Sequence, residues 1–84
     1  MEKRIGTITI VISDKTVAKS VNDILSQYSD GILSRQGLPL RDKGLNIINI
    51  VIEDTLDRIN ALTGKLGRLD SVEVKAIVPK QNKV

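Results

Sequence analysis

The chain contains neither cysteine nor histidine, and these two absences remove several classes of function at once. Disulfides, thiolate nucleophiles, thiolate or imidazole metal ligands and the commonest enzymatic general base are all excluded. The serines have no histidine to activate them, and the neighbouring acids Glu53 and Asp54 suit the beginning of a helix. We therefore predict that the chain is not an enzyme and has no catalytic residue, metal site or cofactor.

Aromatic residues are nearly absent as well, since Tyr28 is the single one among 84 residues. Sheets that bind RNA stack bases on aromatic side chains, and this chain offers no such platform. The 13 Lys and Arg residues are interleaved with 10 Asp and Glu, which is typical of a mixed, solvated surface. Nucleic acid is thus disfavoured as a partner. The nucleic-acid alternative would depend on Lys3, Arg4, Lys75, Lys80 and Lys83.

No hydrophobic run reaches the length that spans a membrane, and no cleavage site follows the apolar residues near the N-terminus. The composition, 40% hydrophobic and 27% charged, is typical of a folded soluble chain. We expect one domain over residues 1–84, with residues 79–84 as a flexible tail, and a cytoplasmic location.

Hydrophobic periodicity predicts the order strand, helix, strand, strand, helix, strand. The strands are predicted at residues 4–12, 32–39, 45–52 and 71–78, and the helices begin after Asp14 and after Asp54 or Thr55. Gly31 and Gly67 are predicted to end the helices. With right-handed crossovers, this order gives an α+β, ferredoxin-like βαββαβ sandwich. Its four-stranded antiparallel sheet would carry both helices on one face, with the first and third strands in the middle.

The other face of that sheet would be bare, aliphatic and weakly polar. Such a face is typically buried against another copy of the chain, so we predict a homo-oligomer. The residues assigned to this face by strand alternation are Ile5, Thr7, Thr9, Val11, Leu33, Arg35, Ile47, Asn49, Val51, Lys75 and Ile77.

The predicted hairpin at residues 34–46 concentrates basic residues with glycine and proline. One interpretation is structural: a bulge at Gly37, an edge-protecting Pro39 and a turn that requires positive φ at Gly44. In the functional interpretation, arginines clamp an anion or an acidic residue of a neighbouring subunit. The candidate residues in this hairpin are Arg35, Gly37, Arg41 and Lys43.

A Gly64-Lys65 step invites comparison with phosphate-binding loops, but the pattern fails. Such a loop needs glycine where Ile59 stands and Ser or Thr where Leu66 stands. The step also lies near a helix C-terminus, whose partial negative charge repels phosphate. Gly64 is therefore expected to serve close packing or an early helix end. Lys65 remains a candidate for an anion or a partner shared across an oligomer interface.

Two motifs in the second half of the chain carry a family resemblance. The hairpin has Arg35, Gly37, Pro39 and Arg41, and the helix that follows has Ala-Leu-Thr-Gly-Lys-Leu-Gly at residues 61–67, before Ser71-Val72. In these motifs, the chain resembles the small stand-alone ACT-like proteins called iron-only hydrogenase system regulators. The first strand and helix match in length and character, so the resemblance extends over nearly the whole chain.

The resemblance implies an ACT-like form of the ferredoxin-like fold, related in shape to the ligand-sensing domain of nickel-responsive regulators, and a homodimer or tetramer. Two departures are informative. Amino-acid-binding ACT domains usually have glycine in the loop after the first strand, where this chain has Ser-Asp-Lys-Thr at residues 13–16. This departure argues against amino-acid binding. Nickel sensing through histidine and cysteine is excluded by their absence.

Three functions follow as hypotheses. The first is a non-enzymatic oligomeric regulatory module that binds a small effector or a partner protein. The second is an oligomerisation scaffold without a ligand, and the third is a nucleic-acid-binding module.

Overall fold

The computed structural model of the protein describes residues 2–80. Its strands are β1 (Lys3–Ile12), β2 (Ile32–Leu40), β3 (Leu45–Thr55) and β4 (Val72–Ile77), and its helices are α1 (Ala18–Ser26) and α2 (Leu56–Gly67). Short 3-10 turns cover Lys15–Val17, Ser29–Gly31 and Arg41–Lys43. The predicted order of elements is confirmed. Of the predicted tail, residues 81–84 lie outside the described residues.

The sheet is antiparallel in every pairing, with the strand order β2-β3-β1-β4. The first and third strands are therefore central, as predicted, and β2 lies at an edge. The buried isoleucines of β1 and β3 share one face of the sheet because every second side chain of a strand points to the same side: Ile8, Ile10, Ile12, Ile48, Ile50 and Ile52. The ferredoxin-like architecture is confirmed.

The core lies between the sheet and the two helices. Ile8, Ile10 and Ile50 are fully buried on the sheet side, and Ile59 and Leu62 are fully buried on α2. These residues follow the period of two in the strands and the i, i+3 spacing in the helix that the sequence displays. No helix within residues 2–80 is long and apolar enough to cross a membrane.

Both long helical segments begin at caps that the sequence indicates. The Asp14 side chain accepts a hydrogen bond from the Thr16 amide, 2.9 Å away, before the 3-10 turn that leads into α1. At the start of α2, the Thr55 hydroxyl accepts from the amide of Arg58 at 3.2 Å. Each cap satisfies one amide that the first helical turn leaves without a partner.

Two of the glycine assignments are wrong, whereas Gly67 is the last residue of α2, as predicted. Gly31 does not end α1, whose last residue is Ser26, and it is not left-handed, since positive φ is found at Gly44, as predicted, and at Ser71 among the described residues. The irregularity in β2 lies between Ile32 and Ser34 rather than at Gly37, which pairs regularly with Ile48. Gly31 is instead required by a close approach, because an added Cβ would lie 2.8 Å from the carbonyl oxygen of Glu53.

Candidate functional site

An open cleft of about 660 Å³ lies where β1 leaves the sheet, beside the hairpin that joins β2 to β3. Ile12 pairs with Asn46, and Asn46 pairs with Pro39, so these three residues are neighbours on the helix-facing side of the sheet. The chain then turns toward α1 through Ser13–Lys15. The residues that line the cleft are Ile12, Ser13, Asp14, Lys15, Pro39, Arg41, Gly44, Leu45 and Asn46.

Two cations, Lys15 and Arg41, line this cleft, and both are exposed. Its carboxylate, Asp14, is held in place because the Oδ1 atom accepts hydrogen bonds from the amide and the hydroxyl of Thr16, at 2.9 and 2.8 Å. Those two hydrogen bonds lower the pKa of Asp14, so the group is ionised at neutral pH. The three charges sum to one positive charge, which favours an anion in the cleft.

The remaining lining of the cleft is apolar with one amide. Ile12 is buried, Leu45 is half-buried, and the half-buried Asn46 adds groups that can donate and accept hydrogen bonds. A charged rim beside apolar surface is the usual composition of a site for a small organic ligand. Of the predicted hairpin candidates, Arg41 lines the cleft, whereas Gly37 and Lys43 lie outside its lining.

Arg35 is not on the bare face of the sheet, where strand alternation placed it. The irregularity after Ile32 shifts the register of β2 by one residue, so that Arg35 pairs with the buried Ile50 on the helix-facing side. Its guanidinium donates a hydrogen bond to the side-chain oxygen of Asn22 on α1. Arg35 and Arg41 therefore do not form a joint anion-binding site, because Arg35 instead connects the edge strand β2 to α1.

Lys65 lies against Tyr28, away from the cleft. Its Nζ is 5.2 Å from the centre of the Tyr28 ring and donates to the side chain of Gln27 at 3.1 Å. The Arg58 guanidinium is also 4.9 Å from the ring centre. Since Tyr28 is buried, the two cations of α2 cover its ring, and Lys65 packs α2 against the segment that follows α1.

A buried carboxylate, Asp54, lies close to this aromatic contact. It is 5% exposed and accepts hydrogen bonds from the Thr55 amide and from the Nε atom of Arg58, each at 2.8 Å. Burial opposes its ionisation, but the bonds from Arg58 and the Thr55 amide and the positive charges of Arg58 and Lys3 outweigh that effect. The pKa of Asp54 is therefore held below its ordinary value. Within residues 2–80, no group of three or more acidic side chains is arranged to hold a metal ion.

Gly64 lies within α2 and does not end it, and an added Cβ would have no neighbouring atom within 4 Å. The expectation that close packing or an early helix end requires glycine here is therefore wrong for this chain. We expect Gly64→Ala to stabilise the fold by about 1 kcal/mol, because alanine loses less backbone entropy in a helix. Urea unfolding measures this gain, and an unchanged or lower midpoint would contradict it.

The face of the sheet opposite the helices is arranged in rows across the strands. The register places on it all seven of the predicted residues that belong to the central strands β1 and β3: Ile5, Thr7, Thr9, Val11, Ile47, Asn49 and Val51. On the edge strands, Lys75 and Ile77 of β4 lie on it as predicted, together with Glu73 of β4 and with Ser34, Gln36 and Leu38 of β2. Ser34 and Gln36 take the place that alternation gave to Arg35, while Leu33 lies at the irregularity itself.

The middle row of this face is polar, and the rows on either side of it combine aliphatic and polar side chains. The Thr9 hydroxyl donates to the side-chain oxygen of Asn49 across the central strands at 2.9 Å. A shallow hollow of about 320 Å³ lies around them. Leu38 and Ile77 remain 54% and 70% exposed. The face thus carries large aliphatic side chains that the fold of a single chain leaves exposed to solvent.

Comparison with known proteins supports the fold and the family. The family model called TM1266-like, with the description "Iron-only hydrogenase system regulator, putative", matches residues 4–76. The uncharacterized protein TM1266 from Thermotoga maritima is 40% identical in sequence, with a TM-score of 0.90. The match covers 94% of this chain and all of that one. No curated protein is significantly similar to the chain.

Two more distant structures show the fold alone. An unknown protein from Galdieria sulphuraria is 12% identical with a TM-score of 0.70, over 98% of this chain and 48% of that one. The divalent ion tolerance protein CutA1 from Ehrlichia chaffeensis is 17% identical with a TM-score of 0.50, over 99% and 88%. With the family model over most of its length and the 40% identical structure, this chain belongs to the TM1266-like family.

Proposed function

We propose that this chain is a non-enzymatic regulatory module of an iron-only hydrogenase system and that it responds to a small organic anion bound in the cleft beside β1. The family supports the regulatory role. The observation that carries the effector proposal is the pairing of Lys15 and Arg41 at a cleft whose other lining includes Ile12, Leu45 and Asn46.

The chemistry of the cleft selects the class of ligand. Arg41 can hold a carboxylate or phosphate through two parallel hydrogen bonds, and Lys15 adds a second positive charge. Leu45 and Pro39 offer apolar surface to a hydrocarbon body, which free phosphate lacks. We therefore expect a carboxylate with a short branched chain to bind more tightly than inorganic phosphate.

Binding at the cleft can influence a partner because the ligand would touch three separate parts of the fold. Asp14 and Lys15 precede α1, Ile12 ends β1, and Arg41 belongs to the hairpin turn. A ligand that contacts all three parts stabilises their present arrangement relative to any other. The hairpin turn and the loop before α1 are both exposed, so a change in their positions can be read by a partner protein.

Isothermal titration calorimetry with 4-methylpentanoate and with inorganic phosphate tests the proposal. We expect Arg41→Glu to weaken binding of 4-methylpentanoate at least about tenfold, since it replaces an attractive charge by a repulsive one. Lys43→Glu is the matched control, because it makes the same charge change in the same turn without lining the cleft. Its effect should stay within about threefold.

A second readout connects the cleft to regulation. In cells that make this chain and an iron-only hydrogenase, Arg41→Glu should change hydrogenase activity relative to the wild type, and Lys43→Glu should not. The effector proposal fails if neither probe binds the wild-type chain, or if Arg41→Glu binds and regulates as the wild type does.

An oligomerisation scaffold is the second candidate function, and the exposed aliphatic residues of the bare sheet face favour it. The scaffold and the effector module differ in two observable properties. The scaffold would assemble equally with and without 4-methylpentanoate, and cleft variants would leave hydrogenase regulation unchanged.

A further inference from the structure

The outer edge of the sheet at β2 has backbone groups that the chain itself does not pair. β2 is the first strand in the order β2-β3-β1-β4, so within residues 2–80 it has a neighbouring strand on one side only. Every residue from Leu33 to Pro39 is exposed. The amides and carbonyls along such an edge can pair with an extended segment of another protein.

The register shows which residues of β2 direct their backbone groups outward. The Ser13 amide donates to the Ser71 carbonyl at 2.9 Å, so the odd-numbered residues of β1 bond toward β4 and the even-numbered ones bond toward β3. Carried across β3 to β2, this alternation leaves three residues with their backbone groups on the free edge: Arg35, Gly37 and Pro39. The proline agrees with this orientation, because a strand tolerates proline where its missing amide faces away from the ladder.

These three residues form the Arg-x-Gly-x-Pro motif of the hairpin. Arg35 and Gly37 each present an amide and a carbonyl to solvent, while Pro39 presents a carbonyl alone. An added Cβ at Gly37 would have no neighbouring atom within 4 Å, so the space beside the strand is open. Arg35 forms no ion pair with any residue of the described range 2–80, so its positive charge is available to an incoming acid.

The free edge of β2 ends at the effector cleft. Pro39 is the last outward-facing residue of the edge and also lines the cleft. Arg41 follows two residues later, at most about 7 Å along the chain, and Lys15 lines the same cleft. The other edge strand, β4, contributes no residue to the cleft lining. An extended segment along β2 can therefore reach the two cations, whereas one along β4 cannot.

We propose that β2 binds the C-terminal tail of a partner protein as a fifth strand, with the terminal carboxylate held by Arg41 and Lys15 in the cleft. This inference rests on the proposed function, because a C-terminal leucine presents the same branched chain and carboxylate as 4-methylpentanoate. Backbone pairing along an edge and capture of a terminal carboxylate are both established modes of peptide recognition. The small effector and the tail then compete for one site.

The position of the cleft fixes the direction of the tail. The cleft lies at the C-terminal end of β2, so a tail whose last residue enters it runs parallel to β2. Mixed sheets with parallel and antiparallel pairs are common. A glutamate four residues before the terminal leucine would lie beside Arg35 when the leucine lies beside Pro39, because side chains of parallel neighbours point to the same face.

Parallel pairing also determines which amides of the tail bond to β2. The second-to-last residue donates to the carbonyl of Gly37, and the fourth-to-last donates to the carbonyl of Arg35 and accepts from the amide of Gly37. The amide of the third-to-last residue faces solvent. The carbonyl of the second-to-last residue meets Pro39, which has no amide. The ladder therefore stops at Pro39, and the terminal leucine can turn into the cleft.

Fluorescence polarisation with the pentapeptide Glu-Ala-Val-Thr-Leu, labelled at its N-terminus, tests the carboxylate site. The peptide should bind the wild-type chain at least about tenfold more tightly than 4-methylpentanoate, which lacks the backbone bonds, and 4-methylpentanoate should displace it. A C-terminal amide in place of the carboxylate should weaken binding at least about tenfold, and so should Arg41→Glu. Lys43→Glu is the matched control, and its effect should stay within about threefold.

N-methylation of single amides of the peptide tests the strand pairing. A methyl group on the threonine amide removes the donor to the Gly37 carbonyl and should weaken binding at least about tenfold. A methyl group on the valine amide is the matched control, because that amide faces solvent, and its effect should stay within about threefold.

The strand addition and the effector site give different results when they fail. If 4-methylpentanoate binds but the peptide binds no more tightly, or if the two N-methylated peptides bind alike, the strand addition is overturned and the effector site stands. A peptide that binds regardless of amidation and of Arg41→Glu would show that the terminal carboxylate is not held in the cleft, which also overturns the inference. If neither ligand binds, both the effector site and the strand addition are wrong.

Discussion

Gly31→Ala is expected to destabilise the fold by about 3 kcal/mol, which is a large loss for a domain of this size. The added Cβ would lie 2.8 Å from the carbonyl oxygen of Glu53 and 2.9 Å from an Oδ2 oxygen of Asp54. Backbone at Glu53 belongs to β3 and cannot move without disturbing the sheet. The Asp54 carboxylate would also be displaced from its hydrogen bonds with Arg58 and Thr55.

Gly37→Ala is the matched control for this substitution. Gly37 lies in β2, and an added Cβ there would have no neighbouring atom within 4 Å. The free energy of unfolding of Gly37→Ala should differ from that of the wild type by less than about 0.5 kcal/mol. We expect a small gain, because alanine lowers the entropy of the unfolded chain. Urea unfolding at neutral pH measures both variants. Equal midpoints for Gly31→Ala and Gly37→Ala would show that the close approach at Gly31 does not constrain the fold.

Asp54→Asn is expected to cost about 2 kcal/mol at neutral pH, because a buried charge-assisted pair is lost while the side-chain shape is kept. The amide can accept one of the two present hydrogen bonds, but its NH2 group would face a donor, either Arg58 or the Thr55 amide. Since Asp54 is 5% exposed, water cannot easily replace the lost partner.

The same residue makes stability depend on pH. The pKa of Asp54 is lower in the folded protein than its ordinary value of 3.8, so the unfolded chain binds the proton more tightly. The stabilisation of the fold by ionised Asp54 is complete above the pKa that this residue has in the unfolded chain. That stabilisation is lost as the pH falls from about 5 through the pKa of Asp54 in the folded protein. Unfolding free energies measured between pH 7 and pH 3 should decline for the wild type and decline less for Asp54→Asn.

Glu53→Gln separates this effect from general acid denaturation. Glu53 is the adjacent residue of β3 and is exposed, with no side-chain hydrogen bond within residues 2–80. This variant should keep the wild-type stability at neutral pH and the wild-type decline in acid. A pH profile of Asp54→Asn that parallels the wild type would rule out Asp54 as the source of the acid sensitivity.

The fold was predictable from sequence because most elements carry a regular pattern. The alternation in β1 and the spacing of Ile59, Leu62 and Leu66 in α2 directly reflect which side chains face the core. Strand order followed from the handedness of crossovers, and the bare face of β1 and β3 followed from alternation. These inferences depend on local periodicity, which can be read from a single sequence.

The wrong predictions concern residues whose roles depend on contacts with distant parts of the chain. The irregularity after Ile32 moved Arg35 to the opposite face, and alternation alone has no signal for a one-residue shift. Gly31 was assigned to a helix end because glycine often serves there, whereas a carbonyl from another strand is the actual reason. The position of Lys65 over Tyr28 likewise depends on how α1 and α2 pack.

The cleft was only half predicted. Arg41 was identified from the basic hairpin, but its neighbour Lys15 was not identified, because it lies 26 positions earlier in the chain. The available signal was topological: β1 and β3 are adjacent in the predicted sheet, so the loop that follows β1 must lie beside the hairpin before β3. The adjacency of β1 and β3 in the predicted sheet is enough to place Lys15 near Arg41 from the sequence alone.

The most direct test of the proposed effector site is a nuclear magnetic resonance titration of the isotope-labelled wild-type chain with 4-methylpentanoate. Amide signals should shift in a saturable way at Ser13–Lys15, at Arg41 and at residues 44–46, which line the cleft, while the signals of β4 stay in place. An absence of shifts, or shifts confined to the bare sheet face, would contradict the assignment of this cleft as the effector site.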